Sequence, residues 1–212
     1  MTHAVESVIT SERYQKGKSY EEYIESGIRN RDLFDMNYAG LEIPADRAAR
    51  LKALAARPNG PHHMLVIGED WCPDVYRGMP VSQRIAEAMG IENRVFERDQ
   101  NKDMIAEFLN GGEFESIPVI VFYDKDHREL GHFIERPKLA NEQIHVTREV
   151  IGDTSPEAIA KRLGHEPSED EIKQARAEAR QRYLDWQKGE MWASWRVATV
   201  DDVIDVLEAA TT

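Results

Sequence analysis

Met64-Leu65-Val66-Ile67-Gly68-Glu69-Asp70-Trp71-Cys72-Pro73-Asp74-Val75 is the stretch that decides the fold. Its first five residues are a short continuous apolar run, the pattern of a strand buried on both faces. Its second half delivers a cysteine to the point where a helix begins. Pro73 takes the first helical position, where a missing N–H costs nothing. Outward from this stretch the pattern keeps alternating. The spacing predicts a helix over 73–89, a strand over 94–97 and a short helix over 103–109. Val119-Ile120-Val121-Phe122-Tyr123 is the strongest strand in the chain. Asp124-Lys125-Asp126-His127 turns it into an antiparallel partner over 129–135, and Pro137 opens a further helix. The order is α-β-α-β-α-β-β-α, a mixed sheet with helices on both faces.

Both flanks read as helical. Residues 1–57 form an N-terminal helical extension leading into the core. In it Ser19 with Glu22 makes a capping box, followed by Tyr20, Tyr23, Ile24 and Ile28 on one face. A turn-rich stretch carrying Leu33, Phe34, Met36, Tyr38 and Leu41 comes next, then an Ala-rich helix opened by Pro44 and stopped by Pro58-Asn59-Gly60-Pro61. Residues 58–150 are the α/β domain. Residues 151–212 are a C-terminal helical extension expected to pack on it. Thr154-Ser155-Pro156-Glu157 caps a short helix there, Ser168 with Glu171 opens a long charged one, and Thr199 to Asp202 caps a third. Trp186, Trp192 and Trp195 are expected to cluster between the last two.

Composition narrows the function. Of 212 residues, 27 are Lys or Arg and 39 Asp or Glu, a formal net charge of −12. That balance argues against a nucleic acid partner, since affinity for phosphates comes mainly from Lys and Arg. A single cysteine excludes an intramolecular disulfide and a Cys-rich zinc site. The seven histidines lack paired ligand spacing, so no metal and no cofactor is expected. No run of about 18 apolar residues suggests a membrane span. The first residues lack the basic and apolar regions of a secretory signal, and a reducing cytoplasmic setting is the expectation.

The Trp71-Cys72 pair between a core strand and its helix resembles the Trp-Cys-x-x-Cys motif of the thioredoxin superfamily. Pro80, eight residues on, matches that family's helix-kinking proline. Ser116-Ile117-Pro118-Val119 resembles its cis-proline loop. The likeness covers about residues 45–150, and Cys-Pro-Asp is similar to bacterial members with Asp before the second cysteine. It implies a thioredoxin-like α/β fold with helical extensions at both ends. It also implies a site in which Cys72 is the reactive group, while Trp71, Pro73, Asp74, Ile117 and Pro118 bind substrate. Two departures stand out. Val75 occupies the place of the resolving cysteine, and Val66 that of the family's buried acid.

Chemistry at Cys72 pulls two ways. A helix N-terminus favours thiolate, the nucleophilic form, whereas Asp74 opposes it. Arg77, Arg84, Arg94, Arg98 and Arg136 are candidates for holding an anionic group such as a glutathione carboxylate. Two functions follow. One is a monothiol thiol-disulfide oxidoreductase, in which Cys72 attacks an oxidised thiol substrate and an external low-molecular-weight thiol regenerates it. The other is a redox-inactive module that holds an extended peptide or a partner protein in the same groove.

Overall fold

The computed structural model describes residues 7–211, so the reading of the extreme N-terminus lies largely outside the described residues. Four strands form one sheet in the order β2-β1-β3-β4. They are β1 His63–Gly68, β2 Glu92–Glu97, β3 Val119–Tyr123 and β4 Glu129–Ile134. β1 runs parallel to β2 and antiparallel to β3, and β3 pairs antiparallel with β4. Met64 to Ile67 and Val119 to Phe122 have no exposed surface, as expected of apolar runs covered on both faces. Val66 lies between Val95 and Ile120 in register. This is the mixed α/β arrangement that the thioredoxin resemblance implied.

Helices α1 Ser11–Tyr14, α2 Tyr20–Glu25, α3 Arg31–Ala39 and α4 Ala45–Ala55 precede β1, and α5 Pro73–Met89 follows it. The Ser19–Glu22 capping box is present, and α2 buries Tyr20, Tyr23 and Ile24; Ile28 lies beyond its end. Just before α2, the backbone of Lys18 exchanges two hydrogen bonds with Val95, tying the extension to the outer edge of β2. α3 and α4 both pack on α5. α3 corrects the turn-rich reading of that stretch. No Gly or Pro interrupts residues 31–39, and Leu33, Phe34 and Asn37 fall on one inward face. The predicted helix over 103–109 is also corrected: α6 Lys102–Ile105 tightens into a 3₁₀ turn over Ala106–Phe108.

The chain divides into two units, residues 1–136 with 196–212, and residues 137–195. The second contains α7 Lys138–Ile151, α8 Pro156–Leu163, α9 Glu169–Trp186 and the start of α10 Glu190–Ala210. Within it α7 packs on α9, and Arg182 donates to the carbonyls of Val150 and Ile151 at 3.2 and 2.7 Å, capping α7. Trp186, Trp192 and Trp195 cluster with ring centroids 5.3–5.6 Å apart, and the Trp195 indole donates to Gln143 Oε1 at 2.7 Å.

In the first unit, the end of α10 buries Val200, Val203, Ile204 and Leu207, and its Asp201 and Glu208 pair with Arg47 and Arg50 of α4. The expected cap at Thr199 to Asp202 is overturned. Thr199 is wholly buried within a helix that starts nine residues earlier, because nothing between Glu190 and Ala210 breaks it. No helix among the described residues is long and apolar enough to cross a membrane.

Candidate functional site

Cys72 is the N-cap of α5, extended at φ −84°, ψ 126°, with Pro73 in the first turn. Its carbonyl accepts from Val75 and Tyr76, both at 3.0 Å, so the helix starts directly on it. The thiol is half-buried and faces the carbonyl oxygen of Ile117 at 3.8 Å. Ile117-Pro118 is a cis peptide bond. The structure thus brings Cys72, Pro73, Ile117 and Pro118 to one place from segments 45 residues apart. Gly78, on the first turns of α5, faces this loop. A Cβ there would lie 2.8 Å from Pro118 Cγ, so α5 seats against the proline ring only because the side chain is missing.

The Ile117 backbone has capacity to spare. Its carbonyl receives only the weak thiol contact, and its N–H donates to nothing among the described residues. Ile117 itself is buried. Trp71, by contrast, is 46% exposed and carries the Arg98 guanidinium over its ring at 5.2 Å. An aromatic this open, next to Cys72 in the chain, offers contact surface in addition to packing. Next to it lies a cavity of about 440 Å³ walled by Tyr23, Ile28, Glu69, Asp70 and Asp99. Glu69 there accepts from the Asp99 N–H at 2.7 Å, and burial raises its pKa.

Asp74 points to neither solvent nor substrate. Arg77 and Arg136 each hold one of its carboxylate oxygens at 3.0 Å. Arg136 also contacts the Glu135 carboxylate, and Arg77, with no exposed surface, reaches the Glu135 carbonyl at 3.5 Å. Burial raises the Asp74 pKa against the pull of both guanidiniums. Three of the five arginines considered for an anionic ligand are therefore at the site, Arg77 and Arg136 on Asp74 and Arg98 on Trp71, but all three are engaged by the protein's own carboxylates. The Asp74–Arg77 spacing of three on a helix was a legible signal. Glu135 and Arg136 arrive from the end of β4, and nothing in their local sequence announces it.

These neighbours set the state of the thiol. Burial raises the Cys72 pKa most, and the charges of Asp74 and Glu135 add to it. The Val75 and Asp74 backbone N–H groups pull the other way without prevailing. Val75 is wholly buried, packed so tightly on Gly68 that a Cβ there would come within 2.8 Å of it. It is a core residue where a second sulfur would need to be mobile.

A family model described as thioredoxin matches residues 17–150, more than half the chain. Among solved structures, a protein of unknown function from Pseudomonas aeruginosa is similar over 97% of this chain and 99% of its own, with 18% identity and a TM-score of 0.63. An HIV epitope-scaffold is similar over the same shares, with 18% identity and a TM-score of 0.60. At such identity the likeness speaks for the fold alone. No curated protein matches.

Proposed function

This chain belongs to the thioredoxin family, and from that premise we propose that it is a redox-inactive member. It holds an extended peptide or protein segment in the groove formed by Trp71, Cys72, Ile117 and Pro118. The observation that carries this reading is the Ile117 backbone: among the described residues its N–H has no partner, and its carbonyl is engaged only by a thiol at 3.8 Å, on a residue that is itself buried. Buried backbone polar groups almost always have partners. A segment laid alongside in strand fashion supplies both, drawing affinity from main-chain hydrogen bonds and specificity from its side chains. Trp71, next to Cys72 in the chain, adds exposed aromatic surface.

The monothiol alternative has one observation in its favour, the Cys72 sulfur beside that same carbonyl. In that scheme the thiolate would attack one sulfur of a disulfide, form a mixed disulfide and release the other as thiolate. A second, external thiol would then reverse the bond. Every step requires a thiolate, which the surroundings of Cys72 disfavour.

Selection of binding peptides from a random library on the immobilised full chain, followed by amide NMR, tests the proposal. Selected peptides should move the Ile117 amide and the Trp71 indole signals, equally in wild type and Cys72→Ser. Peptides captured only through a covalent bond to Cys72, and lost in Cys72→Ser, would overturn it in favour of the monothiol scheme.

A further inference from the structure

We infer that Asp74 is a positioning residue that keeps Cys72 a neutral thiol by holding two cations, Arg77 and Arg136, on its own carboxylate. The inference rests on the binding reading in one respect: a groove for an extended segment is served by an uncharged sulfur that neither attacks its occupant nor needs a counter-ion.

The start of α5 is, by itself, a place where thiolate is favoured, with free N–H groups and the positive end of the helix beside the sulfur. One nearby cation would complete a reactive site. Two are present, and neither acts as such a partner. Arg77 spends one Nη2 contact on Asp74 at 3.0 Å, and Arg136 holds the other carboxylate oxygen at 3.0 Å while also contacting Glu135. The charged groups around the thiol are Asp74 and Arg77 on α5, and Glu135 and Arg136 after β4. Further off, Glu69 is bonded to the Asp99 N–H, and Arg98 is paired with Asp99. Arg196 lies close enough to oppose the charge on Arg77, but is itself bonded to Asn37 Oδ1 and the Gly40 carbonyl, both at 3.0 Å. Two positive and two negative charges thus form a closed cluster whose acidic members bear on the thiol. Deleting the Asp74 charge would remove the larger of the two acidic influences on the thiol and leave both guanidiniums with one carboxylate partner fewer.

The test is the pH profile of iodoacetamide labelling of Cys72 in full-length wild type, Asp74→Asn and Glu135→Gln. Wild type should show its midpoint above that of free cysteine, about 8.5. Asp74→Asn should fall below wild type, with labelling near pH 7 faster by severalfold, up to the roughly tenfold that a thiol pKa lower by about one produces. Circular dichroism of each variant separates this from unfolding, which would bring the midpoint to that of free cysteine. Glu135→Gln leaves both contacts to Asp74 in place and should fall between wild type and Asp74→Asn, so the test survives if Asp74→Asn does not fold. Folded variants whose profiles overlay a wild-type midpoint above 8.5 would overturn this inference and leave the binding reading standing. A wild-type midpoint below that of free cysteine would overturn both.

Discussion

Gly78 shows how much of the site depends on a missing atom. In a helix interior Gly→Ala normally stabilises by about 1 kcal/mol. Here the added Cβ would meet Pro118 Cγ at 2.8 Å, and a proline ring has no rotamer by which to yield. Overpacking of this kind costs about 1–3 kcal/mol, so the clash outweighs the propensity gain. Gly78→Ala should lower the urea midpoint and weaken peptide binding together; an unchanged or raised midpoint would mean that the proline loop has room to move. At this scale the sequence was legible where a residue carries its own chemistry, as Cys72, Trp71 and Pro118 do. It was silent where a role comes from a neighbour distant in the chain. Asp74 reads as an ordinary first-turn acid until Arg136 is seen on its other oxygen.

Elements were legible where punctuation is local. α5 begins on Cys72-Pro73 and ends on Gly90 in the left-handed region, and both bounds could be read from sequence. The box of Ser168 and Glu171 likewise announced α9. Its Glu171 Oε2 accepts from the Ser168 N–H at 2.8 Å, while Ser168 Oγ accepts from Glu171 at 3.3 Å. Ser168→Ala should cost about 1 kcal/mol in thermal or urea unfolding. The Ser168 N–H, and after it the Ser168 hydroxyl, which donates to the same carboxylate at 2.8 Å, hold the Glu171 pKa below its ordinary value; Ser168→Ala removes the hydroxyl's share. A lowered folded pKa gives stability that is present above the unfolded value and lost as pH falls through the folded one. The effect of Ser168→Ala should therefore be largest above about pH 5, with an unfolded Glu near 4.3, and shrink towards acid; a constant difference across that range would contradict the capping role.

α3 and the start of α10 were misread for the opposite reason. Helix α3 starts on Asn30 in the left-handed region without a side-chain cap, so nothing local marks it. Thr199 to Asp202 has the letters of a cap, but the apolar groups before and after it, from Trp192 to Leu207, bury as one continuous helix.

Across the whole molecule, burial rather than ion pairing determines behaviour in alkali. Burial is the first cause that raises the pKa of Tyr14, Tyr20, Tyr23 and Tyr123, and it raises Cys72 in the same direction. A folded pKa above the unfolded one means that the native state holds its proton longer. Stability is then full below the unfolded value and declines as pH rises past it. The decline should begin near pH 8.5 for the cysteine and steepen above about pH 10, where unfolded tyrosines titrate. Thermal unfolding followed from pH 8 to 11 should show Tm falling in those two stages; a flat profile would mean that these side chains are not buried as described. Cys72→Ser should remove the first stage and leave the second.

Binding without redox chemistry is checked by the intact mass of the wild-type protein after incubation with oxidised glutathione near neutral pH. The mass should be that of the unmodified protein, since a protonated and half-buried Cys72 does not open the disulfide. A stoichiometric adduct of one glutathione on Cys72 would contradict it and establish the monothiol scheme instead.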